Sequence, residues 1–255
     1  MRTSICALFY FLSLAVLYGQ SASLRPAANS SASASSPAPP IVIGFVGGFV
    51  KRDNLVHSPV QLAARLREEY RSSVHIESFE NHHGDQAHAE IIRLLDTDHN
   101  GVLSPEEKRN ARIIIYGISW GGSETVNLAR ELEKDGVPVL LTVQVDSVQK
   151  AGENDTLIPA NVAEAVNFYQ PDGILHGRPQ IRAADASRTQ ILGNLRYDYK
   201  DTPIQCEQYP WYDRVFAKTH TQIECDPAVW NKVESLIRSK LPPPASSASA
   251  QLSAQ

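Results

Sequence analysis

Short apolar runs alternate along this chain with longer stretches of helical periodicity. The runs are rich in β-branched residues, and two of them are almost wholly apolar, which is typical of strands buried on both faces of a parallel sheet. The predicted strands cover residues 41–46, 73–79, 112–116, 137–145 and 189–195. This alternation predicts an α/β protein, a three-layer α/β/α sandwich around a mostly parallel, doubly wound sheet.

Between the strands, apolar residues recur at the spacing of one helix face. The predicted helices cover residues 58–70, 86–95, 124–134 and 227–240. The alternation fades after Asp146, where one more helix is predicted at residues 160–169, framed by Pro159 and Pro171. We expect this segment, which ends near residue 189, to form a small cap beside the functional site.

The two ends of the chain differ from its centre. Arg2 precedes a short apolar run and then small residues, which predicts a signal peptide at residues 1–23 and a secreted or periplasmic protein. An uncleaved N-terminal anchor is the alternative. The run is shorter than the roughly 20 residues that span a bilayer, and no later stretch is long and apolar enough, so we expect no stable membrane insertion. Residues 24–40 and 242–255, mostly Ala, Ser and Pro, predict a disordered linker and tail around one domain, residues 41–241.

The charge of the chain limits the classes of molecule that it can bind, and its cysteines indicate the compartment in which it folds. The formal net charge is −4, and Lys and Arg form no dense stripe, so the sequence lacks the electrostatic footprint of a nucleic-acid-binding protein. Cys6 falls in the predicted signal peptide, which leaves Cys206 and Cys225 as a pair in an oxidising compartment. We predict a disulfide between them, with two reduced, buried thiols as the alternative.

The sharpest chemical motif is Gly-Ile-Ser-Trp-Gly at residues 117–121. It directly follows a predicted apolar strand and directly precedes a helical stretch. In such a turn the residues two before and two after the serine must be small, and the Ser119 hydroxyl is raised onto the carboxyl edge of the sheet. Gly-x-Ser-x-Gly alone occurs by chance in many proteins, but this context favours a nucleophile elbow over a glycine-rich structural turn.

With this motif the sequence resembles the α/β-hydrolase superfamily over residues 41–241. The resemblance implies a triad in the chain order Ser, acid, His, with Ser119 as the nucleophile. It also implies an oxyanion hole, in which Trp120 supplies one amide and the loop after the first strand supplies another, from Gly48 or Phe49. That loop lacks the His-Gly that often opens it in lipases, and a plain tight turn is its alternative interpretation.

The resemblance also indicates where the base and the acid lie. His220, on a predicted loop just ahead of the last helix, is where similar enzymes have their catalytic histidine. The other histidines precede the serine or, for His176, fall in the predicted cap. Chain order allows Asp146, Asp198 or Asp226 as the acid. We favour Asp146, which ends the best-formed strand, while Asp198 has the more common position in the superfamily.

A second motif, at residues 96–107, resembles an EF-hand calcium loop position by position. Its oxygen ligands would be Asp96, Asp98, Asn100, the Val102 carbonyl, Ser104 and Glu107. Gly101 makes the sharp turn and Leu103 anchors the loop. The alternative is an Asp-rich turn followed by a capping box at Ser104. Because there is one loop with a short exit helix, we expect a structural calcium ion rather than a paired sensor.

These features predict a secreted serine hydrolase that cleaves a carboxylic ester or thioester, carried by a small molecule or a polymer, with calcium as its cofactor. An acyltransferase with the same triad is one alternative, because sequence does not separate water from another acyl acceptor. A non-catalytic calcium-binding protein on a hydrolase scaffold is the other.

Overall fold

The structure, a computed structural model, describes residues 37–244. The strands are β1 (Ile41–Val46), β2 (His75–Glu80), β3 (Ile113–Ile118), β4 (Val139–Val145), β5 (Leu157–Ile158), β6 (Val162–Tyr169), β7 (Arg182–Ala183) and β8 (Gln190–Arg196). The helices are α1 (Ser58–Tyr70), α2 (Gly84–Leu95), α3 (Pro105–Arg109), α4 (Trp120–Lys134), α5 (Trp211–Phe216), α6 (Lys218–Cys225) and α7 (Pro227–Arg238). The predicted signal peptide, linker residues 24–36 and tail residues 245–255 lie outside the described residues.

Six strands form the central sheet in the order β2-β1-β3-β4-β6-β8, and every neighbouring pair is parallel. All six residues of β1 and all six of β3 are buried, as expected for apolar strands that are covered on both faces. β5 and β7 form a separate two-stranded pair. The parallel sheet that the alternation predicts is therefore confirmed.

Helices cover both faces of this sheet. On one face, Leu62 and Leu66 of α1 and Val233 of α7 share a buried apolar cluster with side chains from β1, β3 and β4. On the other face, Ile91 of α2 and Leu128 of α4 share a second cluster with the opposite sides of the same strands. The predicted three-layer sandwich is confirmed. None of these helices, within residues 37–244, is both long and apolar enough to cross a membrane.

The prediction of a helix at residues 160–169 is wrong, because this segment forms the strand β6. It lies in the sheet between β4 and β8 and pairs with both, so its backbone groups find partners on two sides. Pro159 and Pro171 bound a strand here as they would bound a helix. The segment therefore adds a strand to the sheet instead of forming a separate cap. Leu175, in the loop after β6, lines the same cavity as Ser119 and His220.

The predicted disulfide between Cys206 and Cys225 is present. It joins the loop after β8 to the end of α6, and both cysteines pack with Tyr209 in a small buried cluster outside the two main cores. This cluster holds the polypeptide before α6 against the body of the domain. It thereby fixes the position of α6, which carries His220.

Candidate active site

Ser119 is the single residue between β3 and α4, and its backbone is strained. Its φ of 57° and ψ of −128° lie outside the regions that residues with a side chain ordinarily occupy. A Cβ on Gly117 would clash with the Gly121 carbonyl, and one on Gly121 would clash with the backbone of Phe45. Only glycine therefore fits on either side of the turn. Ser119 N donates to the Val145 carbonyl at 3.0 Å, which ties the turn to β4.

The strand order explains why a cavity forms at this turn. From β1 the chain passes to β2 on one side, whereas β3 lies on the other side of β1. The helices that follow β1 and β3 pack on opposite faces of the sheet. The loops at the carboxyl ends of these two strands therefore separate and leave a crevice between them. The crevice is a cavity of about 500 Å³. Its lining includes Gly47, Gly48, Phe49, His57, Ser119, Asp213, His220 and Glu224.

Asp146 and His220 meet in the core beneath this cavity. The Asp146 Oδ2 and His220 Nδ1 atoms are 2.6 Å apart, and Asp146 is fully buried. Its carboxylate also accepts hydrogen bonds from the side chain and backbone of Gln170, at 2.9 and 3.2 Å, and from the Gly177 backbone at 2.7 Å. These donors satisfy the buried charge and fix its orientation. His220 lies within α6, not on the loop predicted from the sequence.

The other two aspartates lie elsewhere. Asp198 is on the surface, where it accepts hydrogen bonds from Arg196 at 3.0 Å and from the Lys200 backbone at 3.1 Å. Asp226 caps the N-terminus of α7 and accepts the Tyr199 hydroxyl at 2.9 Å. Of the three aspartates, the structure brings Asp146 alone against His220.

The Gly48–Phe49 turn lies directly beside the serine. A Cβ on Gly47 would come within 2.8 Å of the Ser119 Cβ, so this loop approaches the turn because it carries no side chain there. The Asn81 amide donates to the Gly48 carbonyl at 2.5 Å, and Gly48 has a positive φ of 47°. The Phe49 ring lies edge-on to that of Trp120, with centroids 5.8 Å apart. The structure thus brings the predicted oxyanion residues to one side of Ser119.

Ser119 and His220 line the same cavity, but no hydrogen bond joins their side chains in the described part of the chain. Such contacts are often long in a resting enzyme and shorten when substrate binds. Ser119 is 7% exposed, so its hydroxyl is accessible only through the cavity. The arrangement can present one serine and one oriented imidazole to a molecule in that cavity.

The protonation of His220 is set by its surroundings. Burial lowers its pKa, but the hydrogen bond and charge of Asp146, together with the charges of Glu224 and Asp213, outweigh burial and raise the pKa above 6.5. The protonated ring therefore favours the folded state below about pH 6.5, and this stabilisation is lost as the pH rises through the raised pKa.

If the neutral His220 ring acts as a base, kcat/KM for an ester is expected to fall as the pH drops through a pKa above 6.5. Glu224→Gln removes one of the charges that raise this pKa, so the acid limb of the pH–rate profile should move to lower pH. Glu131→Gln, at an exposed ion pair on α4, is the matched control and should leave the limb in place. A limb at or below pH 6.5, or one that Glu224→Gln does not move, would contradict this prediction.

Sequence reasoning missed several residues of this site. Gln170 and Gly177 hold Asp146, and a second pair, His57 and Glu224, lines the cavity with His57 Nδ1 and Glu224 Oε1 2.7 Å apart. The two members of that pair are 167 positions apart, and no spacing or motif links them. His57 precedes Ser119 in the chain, so the triad order Ser, acid, His gives no reason to select it.

The segment predicted to bind calcium joins α2 to α3. Asp96, Asp98 and Glu107 each place a carboxylate oxygen within 4.8 Å of the others. Backbone amides of Ser104 and Thr97 both donate to Glu107 at 2.8 Å, and these bonds lower its pKa to about 2. The capping box at Ser104 is present, and α3 has five residues, so the predicted short exit helix is confirmed.

The remaining positions of this loop fit a tight turn. Asn100 N and Gly101 N donate to the Asp96 carboxylate at 3.1 and 2.9 Å, and Gly101 has a positive φ of 81°. Asn100 Oδ1 accepts the Val102 backbone amide at 2.8 Å. Leu103 packs against the main core, as an anchoring residue at that position would.

No protein-family model and no curated protein sequence match this chain. Solved structures that resemble it include a thioesterase of the prodiginine biosynthetic pathway from Streptomyces coelicolor, RedJ, with 11% identity over 85% of this chain and 97% of that chain, and a TM-score of 0.40. A dienelactone hydrolase from Anabaena variabilis has 10% identity over 79% of this chain and 85% of its own, and a TM-score of 0.38. An esterase/lipase from an uncultured bacterium has 10% identity, coverage of 81% and 78%, and a TM-score of 0.41. With TM-scores below 0.5, these likenesses say nothing about the chemistry of the site.

Proposed function

We propose that this protein is a secreted serine hydrolase that cleaves a carboxylic ester or thioester. One observation carries the proposal: Ser119, on a strained turn, shares a cavity with a buried His220 that is hydrogen-bonded to Asp146. Strained backbone persists where the surrounding structure enforces it, and it concentrates at functional sites. A serine beside an imidazole oriented by a carboxylate is the arrangement that activates a hydroxyl as a nucleophile.

In the first half of the proposed reaction, Ser119 attacks the acyl carbon. Because His220 Nδ1 donates to Asp146, Nε2 carries the lone pair that accepts the proton from Ser119 Oγ. As the new C–O bond forms, the carbonyl oxygen becomes an oxyanion. The C–O or C–S bond to the leaving group then breaks, and the leaving oxygen or sulfur takes the proton from Nε2.

The oxyanion would be held by two backbone amides. The Trp120 amide is the first in α4, so it has no acceptor within the helix. In a trans peptide the carbonyl and the amide point in opposite directions, and Asn81 holds the Gly48 carbonyl. The amide of Phe49 therefore points away from Asn81, and within residues 37–244 it has no hydrogen-bond acceptor, so it is available as the second donor.

Water completes the cycle in the second half. His220 Nε2 removes a proton from a water molecule as its oxygen attacks the acyl carbon of the Ser119 ester. The bond to Ser119 Oγ breaks, the serine takes the proton back, and the carboxylic acid is released. If an alcohol attacked in place of water, the same steps would transfer the acyl group, so the site serves an acyltransferase equally well.

The proposal is tested with a panel of p-nitrophenyl esters and acyl thioesters of graded chain length. The mature protein, residues 24–255, is expected to cleave at least part of the panel, whereas Ser119→Ala is not. Product analysis with added alcohols separates the two enzyme classes, because a hydrolase yields the free acid and an acyltransferase yields a new ester. If the folded protein cleaves no ester and Ser119 does not react, the result would favour a non-catalytic binding protein over either enzyme.

We also propose that residues 96–107 bind a structural calcium ion. The donor set is made of hard oxygen ligands, which calcium prefers: the carboxylates of Asp96, Asp98 and Glu107, joined by Asn100, Ser104 and the Val102 carbonyl. At neutral pH the low pKa of Glu107 keeps its carboxylate ionised. The loop connects α2 to the short α3 that precedes the elbow strand, so the ion would stabilise this part of the fold.

Calcium is expected to raise the melting temperature. For a dissociation constant of about 1 mM, typical of extracellular modules, 10 mM calcium adds about 1.4 kcal/mol to the free energy of unfolding, or about 3–6 °C. Glu107→Gln should lose this shift. Asp185→Asn, at a partly buried aspartate that holds another turn, should respond like the wild type. Identical wild-type melting curves with chelator and with excess calcium would exclude the ion.

A further inference from the structure

His57 and Glu224 form a second histidine–carboxylate pair in the cavity that holds Ser119. His57 is the residue before α1, and Glu224 lies on α6 four positions after His220. Residues four apart lie on the same face of a helix, so Glu224 is a direct neighbour of His220. The pair therefore borders the proposed catalytic base, not a distant part of the surface.

This pair has unused hydrogen-bonding capacity. His57 Nδ1 is bonded to Glu224 Oε1 at 2.7 Å, but within residues 37–244 neither His57 Nε2 nor Glu224 Oε2 has a hydrogen-bond partner. His57 is 6% exposed, and neither atom is sealed from solvent. Because both residues line the cavity, these two atoms can be reached from it.

The position of the pair indicates which part of a substrate it meets. In the proposed reaction His220 gives its proton to the leaving group, so the alcohol portion of an ester lies beside His220. Glu224 is one helical turn further along α6, and His57 is hydrogen-bonded to it. The pair thus adjoins His220, on the leaving-group side of the proposed reaction.

The chemistry of this side of the cavity suits hydroxyl groups. Among the residues that line the whole cavity, Glu224 and Asp213 supply acceptors, Lys51 and Asn54 supply donors, and His57 Nε2 accepts because Nδ1 donates to Glu224. Charges of both signs line the cavity, so a cation and an anion would each meet like charges there. A hydroxyl both donates and accepts, and it therefore matches this mixed set.

We propose that His57 and Glu224 form a subsite that binds hydroxyl groups on the alcohol portion of the substrate, so that the protein prefers esters of polyols or sugars to esters of plain alkanols. This inference rests on the proposed function. A purely structural pair, which only ties α1 to α6, would affect stability and leave this preference unchanged.

The test compares 1-monobutyrylglycerol with propyl butyrate, which share the acyl group and a three-carbon alcohol but differ by two hydroxyls. Each kcat/KM is divided by the rate of alkaline hydrolysis of that ester, which removes differences in intrinsic reactivity. The wild type is expected to prefer the glycerol ester by about tenfold or more, the effect of one or two hydrogen bonds. His57→Phe should reduce this preference to about one.

The matched control is His88→Phe, which removes a comparable pair outside the cavity, between His88 Nε2 and Asp135 Oδ2 at 2.5 Å. It should keep the wild-type preference. If His57→Phe does not fold, the same ratio of the two esters is measured with Glu224→Gln, which should also reduce the preference for the glycerol ester. Equal use of the two esters by the wild type, or an unchanged preference in the folded His57 or Glu224 variant, overturns the subsite. Failure of the proposed function looks different: neither ester is cleaved and Ser119 is inert.

Discussion

Asp146→Asn is expected to remain folded and to lose about four orders of magnitude in kcat for its ester substrate. The carboxylate accepts the His220 Nδ1–H at 2.6 Å, and this bond keeps the lone pair on Nε2. An asparagine amide can instead donate to Nδ1 and hold the ring in the wrong tautomer. The measurement is kcat, with circular dichroism and the melting temperature as checks on folding.

Asparagine is the appropriate replacement at this position. Asp146 has a positive φ of 42°, a conformation that asparagine tolerates better than most residues. Some stability should be lost, because the new amide group would face the Gln170 side-chain donor. Asp198→Asn is the control, and its surface carboxylate should be dispensable for turnover. A large loss of rate in Asp198→Asn with little loss in Asp146→Asn would move the acid to Asp198.

Ser119→Ala is expected to lower kcat by about a millionfold, the loss seen when a nucleophile is removed from such a triad. Folding should be nearly unaffected, since alanine keeps the Cβ that the turn already accommodates. Ser123→Ala is the control: Ser123 is also buried, one turn further along α4, and its hydroxyl donates to Glu153 at 2.6 Å. Hydrolysis that persists at the wild-type rate in Ser119→Ala would exclude the elbow from the mechanism.

The sequence predicts the structure correctly where a local pattern of residues determines it. The apolar runs became the strands β1, β3 and β4, and the two glycines around Ser119 have no room for a side chain. The loop of residues 96–107 is equally local, so its three carboxylates come together as the spacing predicted. The residue types that define each of these features stand within a short stretch of the chain, so a single sequence is enough to recognise them.

The sequence was insufficient where distant contacts decide. Residues 162–169 include good helix formers, but the open position between β4 and β8 gives them partners on both edges, and that pairing overrides local propensity. Gln170 and Gly177 hold Asp146 across 24 and 31 positions, and His57 reaches Glu224 across 167. Contacts of this kind leave no periodic signal in a single sequence.

The most direct test of the central claim is covalent labelling with a fluorophosphonate probe, followed by peptide mass spectrometry. Such a probe reacts with a serine that an adjacent base activates, and it needs no knowledge of the substrate. We predict one modification per chain, on the peptide that contains Ser119, with none in Ser119→Ala and undiminished labelling in Ser123→Ala. A folded wild-type protein that takes up no label, or takes it up on another serine, would contradict the assignment of Ser119 as the nucleophile.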